Sequence, residues 1–286
     1  MTFTSSNPEI LYHYTTQKGL LGILESKVLW LTDLHYLNDQ SEFVYPIYLA
    51  EKIIEDRTEN IQKKYDKNVI SRSLSEKEFS EVMNLEKCMR LLITRKDIPI
   101  YICSFSEAGD QLGQWRGYCN NESGYSIGFD YEKLNKLATE QNIDLKPCIY
   151  NKQKHLKEME TVVEELIKTD TLPEGIEKET QRIEALKSLW SMAPTIKHIS
   201  FKEEMEWRLI SKTFGIDEVL TFFRPGKSSI IPYIHFLLGV DLPIREIVIG
   251  PTPNVEIAAN AISQVMLKNK LKRVKIKRSK VPYRTW

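Results

Sequence analysis

Residues 98–104, IPIYICS, are the stretch that decides the fold. The run is short, apolar and rich in β-branched and aromatic residues, which is typical of a buried strand. It leads into Ser104-Phe105-Ser106, so hydroxyl groups and backbone amides lie where the strand ends. We therefore predict a buried strand here, with polar groups presented at its edge.

Further strand and helix patterns lie on both sides of this stretch. Because strand patterns occur from one end of the chain to the other, one interleaved domain over 1–286 is favoured over two separate domains. Two helix-rich segments, at about 40–97 and 150–197, interrupt the strands. We predict an α+β fold with these segments as helical insertions. The predicted strands are 10–15, 29–32, 98–104, 124–130, 207–211, 230–236, 244–249 and 274–278.

The composition excludes several classes of protein. The 286 residues include 40 Lys and Arg against 39 Asp and Glu, a formal net charge of +1, so a globally basic or acidic protein is excluded. The hydrophobic share of 42% excludes a mostly disordered chain. No signal-peptide pattern and no apolar run of about 18–20 residues is present, so we expect a cytoplasmic protein with no membrane partner.

The cysteines give no sign of a disulfide framework or a metal site. Cys88, Cys103, Cys119 and Cys148 form no C-x-x-C pair. We expect reduced thiols and no bound metal, because zinc sites depend on closely spaced ligands.

The first candidate site lies in 11–16, LYHYTT. A predicted strand carries His13, Tyr14 and Thr15 into a predicted helix, and ligand sites are common there because helix N-terminal amides favour anions. The alternative is that His13 is a hydrogen-bonded structural residue and its aromatic neighbours serve packing.

The second candidate, Asn38-Asp39-x-x-Glu42, is typical of a helix cap followed by an acid in the first turn. A role for Asp39 or Glu42 facing a substrate stays open.

The third candidate combines Ser104 and Ser106 with Trp115 and Tyr118. The two aromatic residues are three positions apart on a predicted short helix, so they share a face that can sandwich a planar ring. The alternative is that Trp115 fills the core. A nucleophile elbow is excluded, because the G-x-S-x-G pattern is absent.

The fourth candidate is 203–209, EEMEWRL. If a strand runs through it, Glu204, Glu206 and Arg208 share one face and the apolar residues between them share the other. Such carboxylates can stabilise a cation that develops on a sugar. The alternative is a solvated edge with an ion pair across it.

The fifth candidate is the basic stretch Lys268–Arg284, which holds nine Lys or Arg and no acid. It fits a patch that binds nucleic acid or another polyanion. The alternative is a solvated amphipathic strand with Val274 and Ile276 facing inward. The candidate contacts are Lys268, Lys270, Lys272, Arg273, Lys275, Lys277 and Arg278.

The chain as a whole resembles the bacterial DUF2971 family. The resemblance rests on sequence blocks that occur in order along nearly all of the chain outside the helical insertions. They are LYHYTT at 11–16, LWLTDLHYLND-x-x-E at 29–42, CSFS at 103–106, QWRGY at 114–118, GYSIGFD at 124–130, EEMEWRL at 203–209, FFRPGKSSIIPYI at 222–234, EIVIGPTPN at 246–254 and KVPYR at 280–284.

DUF2971 proteins in turn resemble ADP-ribosyltransferases. That resemblance implies a curved, split β core, NAD as co-substrate and no metal. His13 would contact the adenosine-side ribose, with Tyr14 and Thr15 beside it. Ser104 and Ser106 would support the nicotinamide pocket, although Ser-Phe-Ser stands where those enzymes have Ser-Thr-Ser.

The same resemblance assigns the charged and aromatic candidates. Trp115 or Tyr118 would stack on the nicotinamide. Glu206 would bind the 2′-hydroxyl of the nicotinamide ribose, and Glu204 would direct the acceptor. The candidates for the pyrophosphate are Arg116, Arg208 and Arg224, the last predicted in a turn over 224–226.

These expectations converge on NAD-dependent ADP-ribosyl transfer to a nucleic acid or a protein. The protein would act as a bacterial toxin or phage-defence effector, with an antitoxin or defence-system partner. The alternatives are an NAD glycohydrolase and a non-enzymatic module that binds nucleic acid through the basic stretch. Glu206→Gln is expected to abolish transfer while the fold stays intact.

Overall fold

The computed structural model describes residues 7–37, 41–66, 83–87, 99–119, 123–170, 172–173, 175–212 and 220–283. The strands in these ranges are β1 Ile10–Thr16, β2 Val28–Asp33, β3 Tyr101–Ser106, β4 Gly124–Asp130, β5 Ile143–Pro147, β6 Glu206–Ser211, β7 Phe222–Pro225, β8 Ile230–Leu237, β9 Ile244–Ile249 and β10 Lys275–Arg278.

Helices fill most of the remainder. The α-helices are α1 Gln17–Ser26, α2 Ser41–Asp66, α3 Leu112–Tyr118, α4 Tyr131–Glu140, α5 Lys152–Asp170, α6 Ile176–Met192 and α7 Val255–Lys268. A short helical segment also spans 83–87. Three 3-10 helices span Leu34–Tyr36, Ala193–Thr195 and Ile199–Glu204.

The sheet forks at β3. One edge of β3 pairs with β6, which in turn pairs with β5. The other edge is shared between β1, which pairs at Ser106, and β2, which pairs at Tyr101 and Ile102. From the fork, β1 continues through β4 and β9 to β10, and β2 continues through β8 to β7. Only the β9–β10 pair among these ladders is parallel.

Two helical layers cover the sheet. One face packs on α1, α4 and α7 through a cluster that includes Leu11, Phe105 and Phe129. Part of the other face packs on α2, α5 and α6, which lie within the two segments predicted as insertions; the strand residues of this cluster include Ile102 and Ile210. The α+β class is therefore confirmed.

Local capping explains how β1 runs into α1. Thr16 is the N-cap, and its hydroxyl accepts a hydrogen bond from the Gly19 amide at 3.2 Å, which satisfies one of the free amides of the first turn. The helix ends at Lys27, which adopts the left-handed conformation with φ 57°.

Two local predictions are wrong. Residues 224–226 are not the turn itself, because Arg224 and Pro225 end β7 and the turn follows, closed by the Gly226 amide donating to the Ser229 carbonyl at 2.9 Å. Proline is accepted there because β7 is an edge strand. Glu204 does not lie in a strand either: it ends a 3-10 helix, and β6 begins only at Glu206.

A left-handed residue causes the second difference. Met205 has φ 43° and ψ 51°, a conformation in which strand alternation is lost. Asn38, Asp39 and the side chain of Glu42 lie outside the described residues, as does most of 67–98.

Candidate active site at the fork of the sheet

A narrow pocket opens on the sheet face at the fork. Its cavity volume is about 10 Å³, enough for about one water molecule and far below the roughly 300–1,000 Å³ of most small-molecule sites. The lining residues are Tyr12, Tyr14, Ser104, Phe105, Gln114, Tyr118, Glu204 and Glu206.

A charge cluster, defined by Lys197, Glu204, Glu206 and Arg208, forms one wall. The Arg208 guanidinium donates from Nε and Nη2 to both oxygens of Glu206, at 2.7 and 3.0 Å. The Lys197 ammonium donates at 2.5 Å to each carboxylate, Glu204 and Glu206. The two carboxylates line the pocket and the two cations do not. The cluster therefore turns its negative side toward the pocket.

Three members of the charge cluster are almost completely buried, so their charges must be compensated by one another rather than by water. The residues Lys197, Glu206 and Arg208 are 3%, 4% and 1% exposed. Burial by itself raises the pKa of Glu206, but the charges of Arg208 and Lys197 outweigh it and lower the pKa to about 2. Glu206 is therefore ionised across the physiological range.

The end of the helix-rich segment 150–197 positions Lys197. An isolated parallel bridge joins Ile149 and Ile196, and the Lys197 amide donates to the Ile149 carbonyl at 3.0 Å. Arg208 Nη1 donates to the Pro194 carbonyl at 2.7 Å, which ties β6 to the same segment. The segment thus completes the charge cluster as well as covering the sheet.

Two tyrosines flank the carboxylates. The Tyr150 hydroxyl accepts from the Glu206 amide at 2.9 Å and so fixes the start of β6. Tyr118 lines the pocket, and both loss of solvent around its phenol and the charge of Glu206 raise its pKa. Tyr118 is thus a neutral hydroxyl beside a carboxylate.

The opposite wall rests on Tyr12 and Tyr14 of β1. The Tyr12 hydroxyl donates to Glu246 at 2.8 Å, and Glu246 also pairs with Lys277 at 2.7 Å. The Tyr14 hydroxyl donates to the Ala108 carbonyl at 2.6 Å. Both rings are therefore held at their far ends.

Gly109 lies directly against the Tyr12 ring, which gives a prediction. A Cβ at this glycine would lie 2.4 Å from Cε1 of Tyr12, so Gly109→Ala must displace a rigid ring. We expect the free energy of unfolding to fall by about 1–3 kcal/mol. Urea denaturation measures this change.

The matched control is Gly113→Ala in α3, where a Cβ meets nothing within 4 Å. Alanine favours a helix, so this variant is expected to be as stable as the wild type or slightly more stable. Equal stability of the two variants would contradict the packing argument.

The structure places His13 and Thr15 away from the pocket. Side chains alternate along β1, so these residues point to the face opposite Tyr12 and Tyr14. The His13 Nδ1–H donates to the Ser104 carbonyl at 3.0 Å, and its ring lies 5.7 Å from that of Phe105. Burial lowers the pKa of His13. A Cβ at Gly19 would meet Thr15 Oγ1, so the Thr15 side chain packs on α1.

The predicted serines and aromatic residues divide between the pocket and the core. Ser104 and Tyr118 line the pocket. The Ser106 hydroxyl instead donates to the Glu204 carbonyl at 2.7 Å. Trp115 is 2% exposed, meets Tyr14 edge to face at 4.7 Å and donates to Asp110 at 2.8 Å, so it fills the core as its alternative predicted.

The predicted arginines all have protein contacts. Arg208 is committed to Glu206 and Pro194, which leaves its guanidinium no open side for a phosphate. The Arg224 Nη2 donates to Thr32 Oγ1 at 3.3 Å, on β2. Arg116 is exposed and lies 5.1 Å from the ring centroid of Tyr283.

Sequence reasoning missed three residues of the site. Lys197 and Tyr150 lie in the helix-rich segment, where no periodicity marks them. Gln114 is 7% exposed and lines the pocket from α3. Its place in QWRGY, next to Trp115, was the available signal.

The basic stretch begins at the last residue of α7, continues through turns at 269–274 and includes β10 at the far end of the sheet. Ile276 of β10 packs against the core, and the lysines beside it are exposed. Arg278 forms a two-bond pair with Glu256 at 2.7 and 2.8 Å, and Lys277 pairs with Glu246. Lysines on an edge strand also prevent pairing between sheets, so this geometry fits the solvated strand.

The described ranges contain neither a metal-binding cluster nor a membrane-spanning helix. No group of three or more His, Cys, Asp or Glu there is placed to hold a metal ion. None of the helices there has the length and apolar character needed to cross a membrane.

Comparison with known proteins bears on the central part of the chain. Curated proteins and solved structures gave no match. A family model described as "Protein of unknown function (DUF2971)" matches residues 114–209, about a third of the chain, from Gln114 in the pocket to the residue after Arg208. This match supports the assignment to DUF2971 that the sequence blocks indicate.

Proposed function

We propose that this protein is an NAD-dependent ADP-ribosyltransferase that acts at the fork pocket. The observation that carries the proposal is Glu206, a buried and ionised carboxylate at the wall of a small pocket lined by tyrosines. The acceptor would be a macromolecule, nucleic acid or protein, and the setting a bacterial toxin or phage-defence system.

The proposed reaction needs a negative charge next to the ribose of NAD. Breaking the bond between the ribose C1′ and nicotinamide sends the bonding electron pair to nicotinamide and leaves positive charge on the ribose. A fixed carboxylate facing that carbon stabilises the charge as it develops. The acceptor nucleophile then attacks C1′ and loses its proton. Lys197 and Arg208 hold the carboxylate in place from behind.

The remaining lining residues suit the nicotinamide end. The phenol ring of Tyr118 offers a stacking surface. The Gln114 side chain carries both a donor and an acceptor, as the nicotinamide carboxamide does. Ser104 lines the same pocket. The pocket as it stands holds about one water molecule, so nicotinamide could enter only if the exposed Tyr118 moved aside, and the rest of NAD would lie outside the mouth.

Release of nicotinamide from NAD tests the proposal. We expect release by the wild type and a loss of about 100-fold or more in Glu206→Gln and in Glu204→Gln, since electrostatic groups at a reacting centre contribute at this scale. The matched control is Glu203→Gln, whose side chain is exposed next to the cluster, and it should retain wild-type release.

Circular dichroism of each variant separates lost chemistry from lost fold. No release by a folded wild type would overturn the proposal. Labelled NAD then distinguishes the products: label on a macromolecule indicates transfer, and free ADP-ribose alone indicates a glycohydrolase that uses the same pocket.

A further inference from the structure

Strands β2, β7 and β8 carry an aromatic face, defined by Trp30, Phe222, Tyr233 and His235. The Trp30 and Tyr233 rings lie 4.5 Å apart. The Phe222 and His235 rings are stacked, with centroids 3.9 Å apart and planes 13° from parallel. Trp30 is nevertheless 48% exposed. Phe222 and His235 are partly exposed and Tyr233 is 8% exposed, so Trp30 is the ring of this face that is most open to solvent.

Strand register places the four rings on one side of the sheet. Trp30 pairs with His235, and Tyr233 pairs with Phe222, so the paired side chains point the same way. Thr32 is two residues after Trp30 and pairs with Ile102 of β3, so this is also the side on which the fork pocket opens.

An arginine, Arg224, adjoins the rings. The Arg224 guanidinium lies 5.9 Å from the Trp30 ring centroid, and its Nε is buried without a hydrogen bond. Within the described part of the chain no carboxylate lies in ion-pair range of it, and its hydrogen bond goes to Thr32. Residues 221–240 contain Arg224 and Lys227 but no acid. The face is therefore aromatic and locally positive.

We propose that the aromatic face binds single-stranded nucleic acid. Bases would stack on Trp30 and beside the Phe222–His235 pair, and a phosphate would meet the terminal Nη atoms of Arg224, since its Nε is buried. Unpaired bases stack on exposed aromatic rings of open sheets, and nearby arginine adds both charge and stacking. A duplex hides its base faces, so it gains nothing from these rings.

The aromatic face fits this ligand better than the basic stretch does. The basic stretch has two of its cations committed to Glu246 and Glu256. It also lies at the opposite end of the sheet, on β10 rather than β7. The inference is independent of NAD chemistry, since binding needs no NAD.

Fluorescence anisotropy with a labelled single-stranded oligonucleotide of about 12 nucleotides tests the proposal. We expect Trp30→Ala to weaken binding by about 10-fold or more, because one base loses its stacking partner. Arg224→Gln should weaken binding and reduce the slope of log affinity against log salt by about one. Trp30→Phe should retain most of the affinity, because it keeps a ring.

Two controls lie on other surfaces. Phe223→Ala removes a ring that is 65% exposed next to Arg224, but alternation along β7 points it to the opposite face. Lys272→Glu/Lys275→Glu reverses two exposed charges of the basic stretch. Both are expected to bind as the wild type does, with the fold checked by circular dichroism.

Several results would overturn the proposal. They are absence of binding by the folded wild type, equal loss in Trp30→Ala and Phe223→Ala, preference for the matched duplex, and loss on charge reversal in the basic stretch with Trp30→Ala unaffected. The binding assay contains no NAD, so its result does not depend on whether the protein releases nicotinamide.

Discussion

Glu206→Gln is expected to lower the free energy of unfolding by about 3–5 kcal/mol, because it strips the buried cations of their main counter-charge. The Glu206 carboxylate accepts from Arg208 and Lys197, and all three side chains are almost fully buried. Urea denaturation measures the loss. The sequence alone predicts that this variant keeps its fold. Because Glu206 is buried, we expect a large loss of stability, so the activity of the variant must be measured under conditions where it has been shown to be folded.

The pH dependence of stability gives an independent check. The pKa of Glu206 falls from its usual 4.5 to about 2 in the folded state, so between these values the unfolded chain binds more protons. The stabilisation is therefore complete above about pH 4.5 and is lost as the pH falls toward 2. Glu206→Gln should flatten this part of the wild-type curve. An unchanged curve would contradict the assigned ion pairs.

Replacing the buried part of the cluster as a unit should have the opposite effect. In Lys197→Met/Glu206→Leu/Arg208→Met, apolar side chains occupy the volume and no buried charge is left unpaired. Such replacements are often neutral or stabilising by about 1–4 kcal/mol, because desolvation of the ions is avoided. We expect stability to return to the wild-type level or above, as measured by urea denaturation, with nicotinamide release absent.

This comparison separates the two reasons for keeping buried charges. Recovery of stability without activity would show that the cluster serves the pocket rather than the fold. A triple variant as unstable as Glu206→Gln would instead indicate that the hydrogen bond from Arg208 to Pro194 and the Lys197 contacts are needed for folding.

Strong hydrophobic periodicity predicted several of the main secondary-structure elements. The buried strand predicted at 98–104 corresponds to β3 at Tyr101–Ser106, and the strand predicted at 124–130 corresponds to β4 at Gly124–Asp130. These segments bury one continuous set of apolar side chains, so local pattern and tertiary packing agree. Helix α4 and strand β5 were not predicted. Helix α4 has ten residues and β5 has five, so each contains too few repeats of the hydrophobic pattern to be recognised.

The site was predicted less completely, for reasons that lie in tertiary contacts. Alternation in 203–209 brought Glu206 and Arg208 to one face, which the structure confirms through their two hydrogen bonds. Met205 broke the alternation at Glu204, and no residue type in the stretch signals a left-handed conformation. Lys197 reaches the carboxylates only through the bridge between Ile149 and Ile196, a contact without a local pattern.

The same limit applies to Trp115 and Arg224. The spacing of Trp115 and Tyr118 fitted both a stacking face and the core, and only the packing of Tyr14 on Trp115 decides between them. Arg224 was a candidate for binding the pyrophosphate of NAD. Its strand is instead the edge neighbour of β8, which brings it to Trp30.

The position of β3 at the fork also affects how the chain folds during translation. Ser106 pairs with Glu206, which the ribosome adds one hundred residues later. At about 5–20 residues per second, β3 waits about 5–20 s for β6, with one backbone edge open and apolar side chains nearby. The nascent chain therefore passes through a period in which its future central strand can pair with a neighbouring chain, and chaperone binding during that interval would protect the yield of folded protein.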